Sequence, residues 1–239
     1  MYSAIHSLGS GYAAFGEYTM KIKAIVFGAS GMVGEGVVMT ALDHPDIESV
    51  LVIGRRPCGI TDPRVEEILH QDFFDYSLIE QELKGFDACY FCLGVTSVGK
   101  KEEEYRRLTY DLTMAAARTL SRVNPSMTFC YVSGTGTDST ERGRIAWARI
   151  KGKTENDLAK LPFKSAYAFR PGFIKPVRGQ KFAHGFSIIL AGAYPFFKKI
   201  LPQYMCTLRE LGRAMIVVST RGYEKRVLEN NDITTLGTG

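Results

Sequence analysis

The sequence predicts an α/β fold, a doubly wound parallel sheet with a small C-terminal helical cap. Three observations carry this. From Lys21 onward, short β-branched or aromatic runs alternate with longer segments of helical period. The runs are mostly apolar, as strands buried on both faces must be. The first run passes through a glycine-rich turn directly into a helical segment. At 239 residues the chain is long enough to bury a full core as one large domain.

Taken in order, the strand candidates are Ile22 to Gly28, Ser49 to Ile53, Val65 to Leu69, Ala88 to Leu93, Met127 to Val132 and Ala166 to Arg170, with a helix expected after nearly every one. The clearest helix is Glu102 to Arg122: Tyr105, Leu108, Leu112, Ala115, Thr119 and Leu120 share a face, acids open it, and Arg118 and Arg122 stand near its end. After Arg170 the rhythm changes. Pro171, Pro176, Pro195 and Pro202 amid aromatics predict a loop-and-helix substrate cap over about residues 171–206. Its stretch Phe182 to Tyr204 reads either as an ordinary hydrophobic helix or as an apolar pocket or docking patch. A last helix follows from roughly Leu208 to Thr220. No repeat or linker divides the chain, so residues 20–239 read as a single domain. Residues 1–19 lack both a basic start and a continuous apolar stretch, and are expected to be a mobile extension rather than a signal peptide.

Composition excludes several function classes. Thirty Lys and Arg against 25 Asp and Glu leave a net charge of +5, which suits an anionic small ligand but is too diffuse, without a basic run or aromatic-basic stripe, for a nucleic-acid binder. The longest apolar stretch, Phe186 to Phe197, contains Pro195 and falls short of the ~20 residues of a membrane span, and Lys198 and Lys199 are too few to argue a membrane surface. Five cysteines at irregular spacing with no secretory signal predict a reducing, cytoplasmic location. Cys89-Tyr90-Phe91-Cys92 has redox-motif spacing, but lies in an apolar run that reads as a core strand. His6, His44, His70 and His184 are too scattered for a metal site, so no metal is expected.

The chemistry begins at Gly28-Ala29-Ser30-Gly31-Met32-Val33-Gly34, a strand-to-helix turn. A phosphate sits well at such a helix N-terminus, where unpaired N–H groups and the helix dipole face it. Gly28 makes the tight turn, Gly31 admits a pyrophosphate, and Gly34 lets helix and strand pack closely, so Gly28, Ser30, Gly31, Met32, Val33 and Gly34 are candidate dinucleotide-binding residues. About twenty residues on, where an acid would hold the ribose 2′-hydroxyl of NAD, the sequence reads Val52-Ile53-Gly54-Arg55-Arg56. Arg55 and Arg56 would attract a 2′-phosphate, which favours NADP(H) over NAD(H), although one of them can equally be a solvated loop charge.

Together with Phe91-Cys92-Leu93-Gly94, Ser133-Gly134 and Arg170-Pro171-Gly172, these motifs make the chain resemble an atypical short-chain dehydrogenase/reductase from about Lys21 to Ile233, most similar to the NAD(P)-binding branch of Tat-interacting-protein-like and epimerase-like oxidoreductases. The resemblance implies a Rossmann sheet with the cofactor across the strands' carboxyl ends, Asp72 and Phe73 near the adenine, and Leu93, Gly94 and Val95 along the cofactor. It also implies a Ser or Thr after the fifth strand and a Tyr-x-x-x-Lys pair on the next helix, the tyrosine giving a proton and the lysine lowering its pKa and binding ribose. Ser133 and Lys151 match, but the tyrosine position reads Trp147. An indole N–H is effectively not ionisable, so the familiar proton donor is missing, and Lys151, a water or a tyrosine near Tyr194 would have to replace it. Two readings remain open: an NADP(H)-dependent oxidoreductase acting on an unknown carbonyl or hydroxyl small molecule through Ser133, Lys151 and Trp147, or a non-catalytic NADPH sensor that controls a protein partner.

Overall fold

A computed structural model describes residues 21–182 and 199–238. Seven parallel strands, β1 (Ile22–Phe27), β2 (Ile47–Gly54), β3 (Val65–Leu69), β4 (Ala88–Phe91), β5 (Thr128–Val132), β6 (Ser165–Arg170) and β9 (Val227–Glu229), form one sheet in the order β3-β2-β1-β4-β5-β6-β9. The direction of winding reverses between β1 and β4, which is the switch point of a doubly wound sheet. The expected fold class therefore holds. The period-2 alternation of each strand divides the core into two layers. Ala24, Val26, Val50, Val52, Ala88 and Tyr90 face one layer, while Ile25, Phe27, Leu51, Ile53, Cys89 and Phe91 face the other. The first layer is closed by α1 (Met32–Leu42), α5 (Leu208–Thr220) and α6 (Asn230–Thr238), the second by α3 (Leu112–Val123) and α4 (Ala146–Leu158).

Two expectations fail locally. Helices do not follow β2 and β3: residues 55–64 cross without one, and only a 3₁₀ turn, Ser77–Ile79, lies between β3 and β4. Pro57, Gly59 and Pro63 oppose a helix in the first crossing. Cys58 and Ile60 fill the first layer there, and Tyr76 and Leu83 fill the second. The long helix keeps only part of its expected buried face. Its opening piece α2 (Glu102–Arg106) joins α3 through a π-helical turn, Arg107–Asp111; Tyr105 and Leu120 are buried and Leu112 and Ala115 pack partly buried on the core as expected, while Thr109, Thr113 and Ala117 are buried instead of Leu108. The wider turn inserts a residue and rotates everything after it.

The last helix before residue 221 begins at Leu208 as expected, on a capping box of Thr207 and Glu210. The short edge strand β9 and helix α6 were not foreseen. Part of the expected cap is described: β7 (Phe173–Lys175) pairs in parallel with β8 (Met205–Thr207), and a 3₁₀ turn, Pro202–Tyr204, precedes β8. The expectations for residues 1–19 and for Phe186 to Phe197, including Tyr194, lie outside the described residues. Residues 177–182 run back over the start of α1, where buried Glu35 accepts the Lys181 and Phe182 backbone N–H groups at 2.7 and 2.9 Å and Gln180 Nε2 donates to the Met32 carbonyl at 2.6 Å.

Candidate functional site

The site opens at the carboxyl ends of β1, β4, β5 and β6, across the switch point. Gly28 leaves β1 at φ +83°, and a Cβ there would lie 3.0 Å from the Cys92 carbonyl and the Leu93 nitrogen. At Gly34 a Cβ would lie 2.2 Å from the Gly28 carbonyl oxygen, so the helix can approach the strand this closely only without a side chain. Gly31, the N-cap of α1, differs: its backbone is extended, at φ −124° and ψ 164°, and a Cβ would meet only the Gly28 oxygen at 3.4 Å. The protein itself leaves the space beside Gly31 open. No side chain caps α1, so its first-turn N–H groups face that space with the helix dipole behind them.

A cleft of about 590 Å³ extends from this turn. It brings together Gly31, Met32 and Val33 from the turn, Leu93 and Gly94 after β4, Ser133 after β5, and Trp147 and Lys151 on α4. Cys92, Val132, Gly134, Thr135, Pro171, Gly172 and Ile174 also line it, and these the sequence reading did not assign to the site. Cys92, Gly134, Pro171 and Gly172 sit directly after strand ends, where ligands bind in such sheets, so their position was a usable signal. Gly28, Ser30 and Gly34 build the turn without lining the cleft.

Lys151 stands one helical turn beyond Trp147, and its Nζ donates a short hydrogen bond to the Ser133 carbonyl. Burial pushes this ammonium down from 10.5 to about 8, against the opposing pull of the Glu155 carboxylate one turn on. Ser133 is buried, and both its backbone N–H and its hydroxyl donate to the Phe169 carbonyl, at 2.8 and 3.0 Å. Thr135 makes the same kind of pair, from its N–H to the Pro171 carbonyl at 3.0 Å and from Oγ1 to the Arg170 carbonyl at 3.1 Å. Both hydroxyls therefore offer the cleft lone pairs rather than protons. The partly buried Trp147 indole packs over Gly136, which at φ +88° bends the loop beneath the ring; a Cβ there would lie 3.4 Å from the indole edge.

Arg170, which the sequence places at a strand end and in a motif but not in the site, is the support behind this wall. Its guanidinium donates to both Glu155 oxygens at 3.0 and 2.5 Å, to Glu229 Oε1 at 3.1 Å and to Ser139 Oγ at 2.5 Å, which ties β6 to α4, to β9 and to the loop before α4.

Of the remaining candidates, Arg55, Arg56, Asp72 and Phe73 form a second group past the ends of β2 and β3, and Val95 lies past β4. Arg55 and Arg56 are exposed, no carboxylate follows β2 directly, and the Arg55 guanidinium stands 5.8 Å from the Phe73 ring centre. Phe73 is itself a core side chain, edge-on to Phe27 and stacked on His70 and Tyr76. The Asp72 carboxylate accepts the Phe74 N–H at 2.9 Å, and Val95 is exposed. Cys89 and Cys92 fall in opposite core layers, and neither a disulfide nor a metal-binding cluster occurs among the described residues. No helix among them is long and apolar enough to cross a membrane.

No protein-family model matches the chain. Among curated proteins it is 26% identical over 175 residues to Protein FMP52-2, mitochondrial, of Scheffersomyces stipitis, covering 72% of this chain and 75% of that one. It is 29% identical over 154 residues to Protein FMP52, mitochondrial, of Candida glabrata, covering 63% of each. Among solved structures it is similar to Bordetella bronchiseptica WbmF in complex with NAD+, with TM-score 0.60, 13% identity and coverage of 91% and 77% of the two chains. It is also similar to Helicobacter pylori ADP-L-glycero-D-manno-heptose-6-epimerase, with TM-score 0.64, 13% identity and coverage of 92% and 82%. A Francisella tularensis short chain dehydrogenase family protein gives TM-score 0.58, 15% identity and coverage of 84% and 92%. The resemblance to the short-chain dehydrogenase and epimerase-like Rossmann proteins thus holds at the level of the fold. The expected cytoplasmic location is overturned, because the FMP52 relatives are named as mitochondrial proteins.

Proposed function

We propose that this chain binds a nicotinamide dinucleotide, NADP(H) in preference to NAD(H), and works as an oxidoreductase on a carbonyl or hydroxyl small molecule through an atypical site with Trp147 in the tyrosine position. The observation that carries the reading is the open space at Gly31: the fold needs glycine at 28 and 34 for its own packing, whereas glycine at 31 only keeps clear the approach to a helix N-terminus. The neighbouring solved structures, one of them in complex with NAD+, support a dinucleotide there.

In this reading Gly31, Met32 and Val33 receive the diphosphate, with Gly28, Ser30 and Gly34 shaping the turn. Arg55 and Arg56 take the 2′-phosphate, Asp72 and Phe73 lie by the adenine, and Leu93, Gly94 and Val95 follow the dinucleotide. Lys151 holds the ribose hydroxyls, and Ser133 accepts a hydrogen bond from a substrate hydroxyl. When bound, the nicotinamide supplies or accepts a hydride. Mitochondrial residence, by likeness to the FMP52 proteins, completes the proposal.

Titration of the purified protein with NADPH and NADH tests it. A charge-assisted contact is worth about 1.5–3 kcal/mol, so NADPH should bind on the order of tenfold to a hundredfold more tightly, and Arg55→Ala with Arg56→Ala should erase the difference. Equal affinities in the wild type would remove the NADP(H) preference; no binding of either would remove the dinucleotide. The second reading, a sensor with little turnover, is favoured by one observation: neither Trp147 nor the committed hydroxyls of Ser133 and Thr135 can give a substrate a proton. Oxidation of bound NADPH against a panel of aldehydes, ketones, quinones and nucleotide sugars separates the two readings.

A further inference from the structure

A carbonyl oxygen is a hydrogen-bond acceptor and must gain a proton on reduction, so the cleft has to hold a donor able to release one. Its described lining residues include no tyrosine, histidine or carboxylic acid. The hydroxyl protons of Ser133 and Thr135 point into the Phe169 and Arg170 carbonyls. The Trp147 N–H does not ionise in the useful range, and burial pushes the Cys92 thiol far up, so it keeps its proton. Among the described residues Lys151 remains: an ammonium has three N–H groups, of which one is given to the Ser133 carbonyl.

The geometry points to Lys151 as the general acid of the reduction, doing from α4 the work of the tyrosine that Trp147 displaces. This rests on the oxidoreductase reading above. As the carbonyl carbon gains a hydride with its electron pair from the reduced dinucleotide, the C=O π pair becomes an oxygen lone pair. That oxygen takes a proton from Lys151 Nζ, and the neutral amine recovers a proton from water. The surroundings suit the task. Burial drives the ammonium toward release near pH 8, Glu155 on the same helix moderates this, and Arg170, which also donates to Glu229, binds both oxygens of Glu155. Across from α4, β5 presents the Ser133 carbonyl and the buried, neutral Tyr131 phenol, which burial pushes far up.

Two measurements test this. Lys151 is titrated by NMR in full-length protein carrying isotope-labelled lysine, free and with NADP+. Turnover is then compared between wild type and Lys151→Arg, which keeps a cation able to donate to ribose but does not release a proton. The expected results are titration of Lys151 near pH 8 and a wild-type reduction rate that falls as pH rises through the same value. Lys151→Arg should keep NADPH affinity within about threefold and lose about 10²–10⁴-fold in turnover, the share of a general acid. Turnover of Lys151→Arg within tenfold of wild type, titration of Lys151 only above pH 10, or loss of turnover and its pH limb in Tyr194→Phe overturns the lysine while leaving the oxidoreductase reading intact. Wild-type protein that binds NADPH but reduces nothing overturns both. Should Lys151→Arg not fold, agreement or disagreement between the wild-type titration and pH–rate profile decides.

Discussion

Gly31 and Gly34 share one turn and answer to different neighbours. Gly34 faces backbone at 2.2 Å and has no room to yield, whereas Gly31 faces open space with a backbone any residue can adopt. Gly31→Val should therefore fold with a melting temperature near wild type and lose NADPH affinity, while Gly34→Val should lose the fold; circular dichroism with cofactor titration checks both, and unchanged affinity in Gly31→Val would place the phosphate elsewhere. Lys151 makes a prediction about stability as well. Its folded value of about 8 lies below the unfolded 10.5, so between these pH values the unfolded chain binds more protons and stability rises with pH. Lys151→Met should thus stabilise the protein at pH 7 by up to ~3 kcal/mol, less the lost bond to Ser133, and the gain should vanish above about pH 10.5. Denaturant melts at the two pH values measure it; a gain that does not shrink with pH would contradict the burial of this amine.

At the scale of elements, α1 and α5 pack through glycines. A Cβ on Gly36 would fall 1.9 Å from the Leu208 side chain, and one on Gly212 would fall 2.8 Å from the Thr40 side chain, so each glycine makes the space in which a side chain of the other helix sits. The start of α5 is set by Thr207 Oγ1, which accepts the Glu210 N–H at 3.1 Å, and by Glu210, which accepts the Thr207 N–H at 2.5 Å. Thr207→Ala should cost about 1 kcal/mol, and Thr207→Ser should restore most of it, read from thermal melts of the three proteins. The Thr-x-x-Glu signature was visible in the sequence. The π turn at Arg107–Asp111 was not, because a hydrophobic pattern read at 3.6 residues per turn assumes an unbroken helix, and one wider turn moves Leu108 off the buried face and Thr109 onto it.

The whole molecule converges on Arg170. One guanidinium joins β6, α4, β9 and the Ser139 loop, and it and Glu155 are both buried, whereas Glu229 is about half exposed. Arg170→Met would leave the Glu155 carboxylate buried without its partner and should cost about 3–5 kcal/mol in a denaturant melt, while Glu229→Gln should cost less than about 1 kcal/mol. Equal effects would mean that the buried pair is not what holds α4 against the sheet.

From its own pattern the sequence determined the α/β class, six of the seven strands of the main sheet, the start of α5 and the turn at Gly28–Gly34. Apolar runs, glycine spacing and helix periodicity are local properties, and they survive in a string of letters. Ser133, Lys151 and Trp147 were legible only through the family resemblance, and the structure brings the three to one cleft. What only the tertiary structure decided is what those groups can still give. That the Ser133 and Thr135 protons end in the Phe169 and Arg170 carbonyls depends on strands β5 and β6 lying side by side, and that Lys151 is buried against the Ser133 carbonyl depends on α4 packing beside the end of β5. The short strand β9 owed its place to the same cause: three residues carry too little pattern to announce a strand, and it is the open edge of β6 that makes them one.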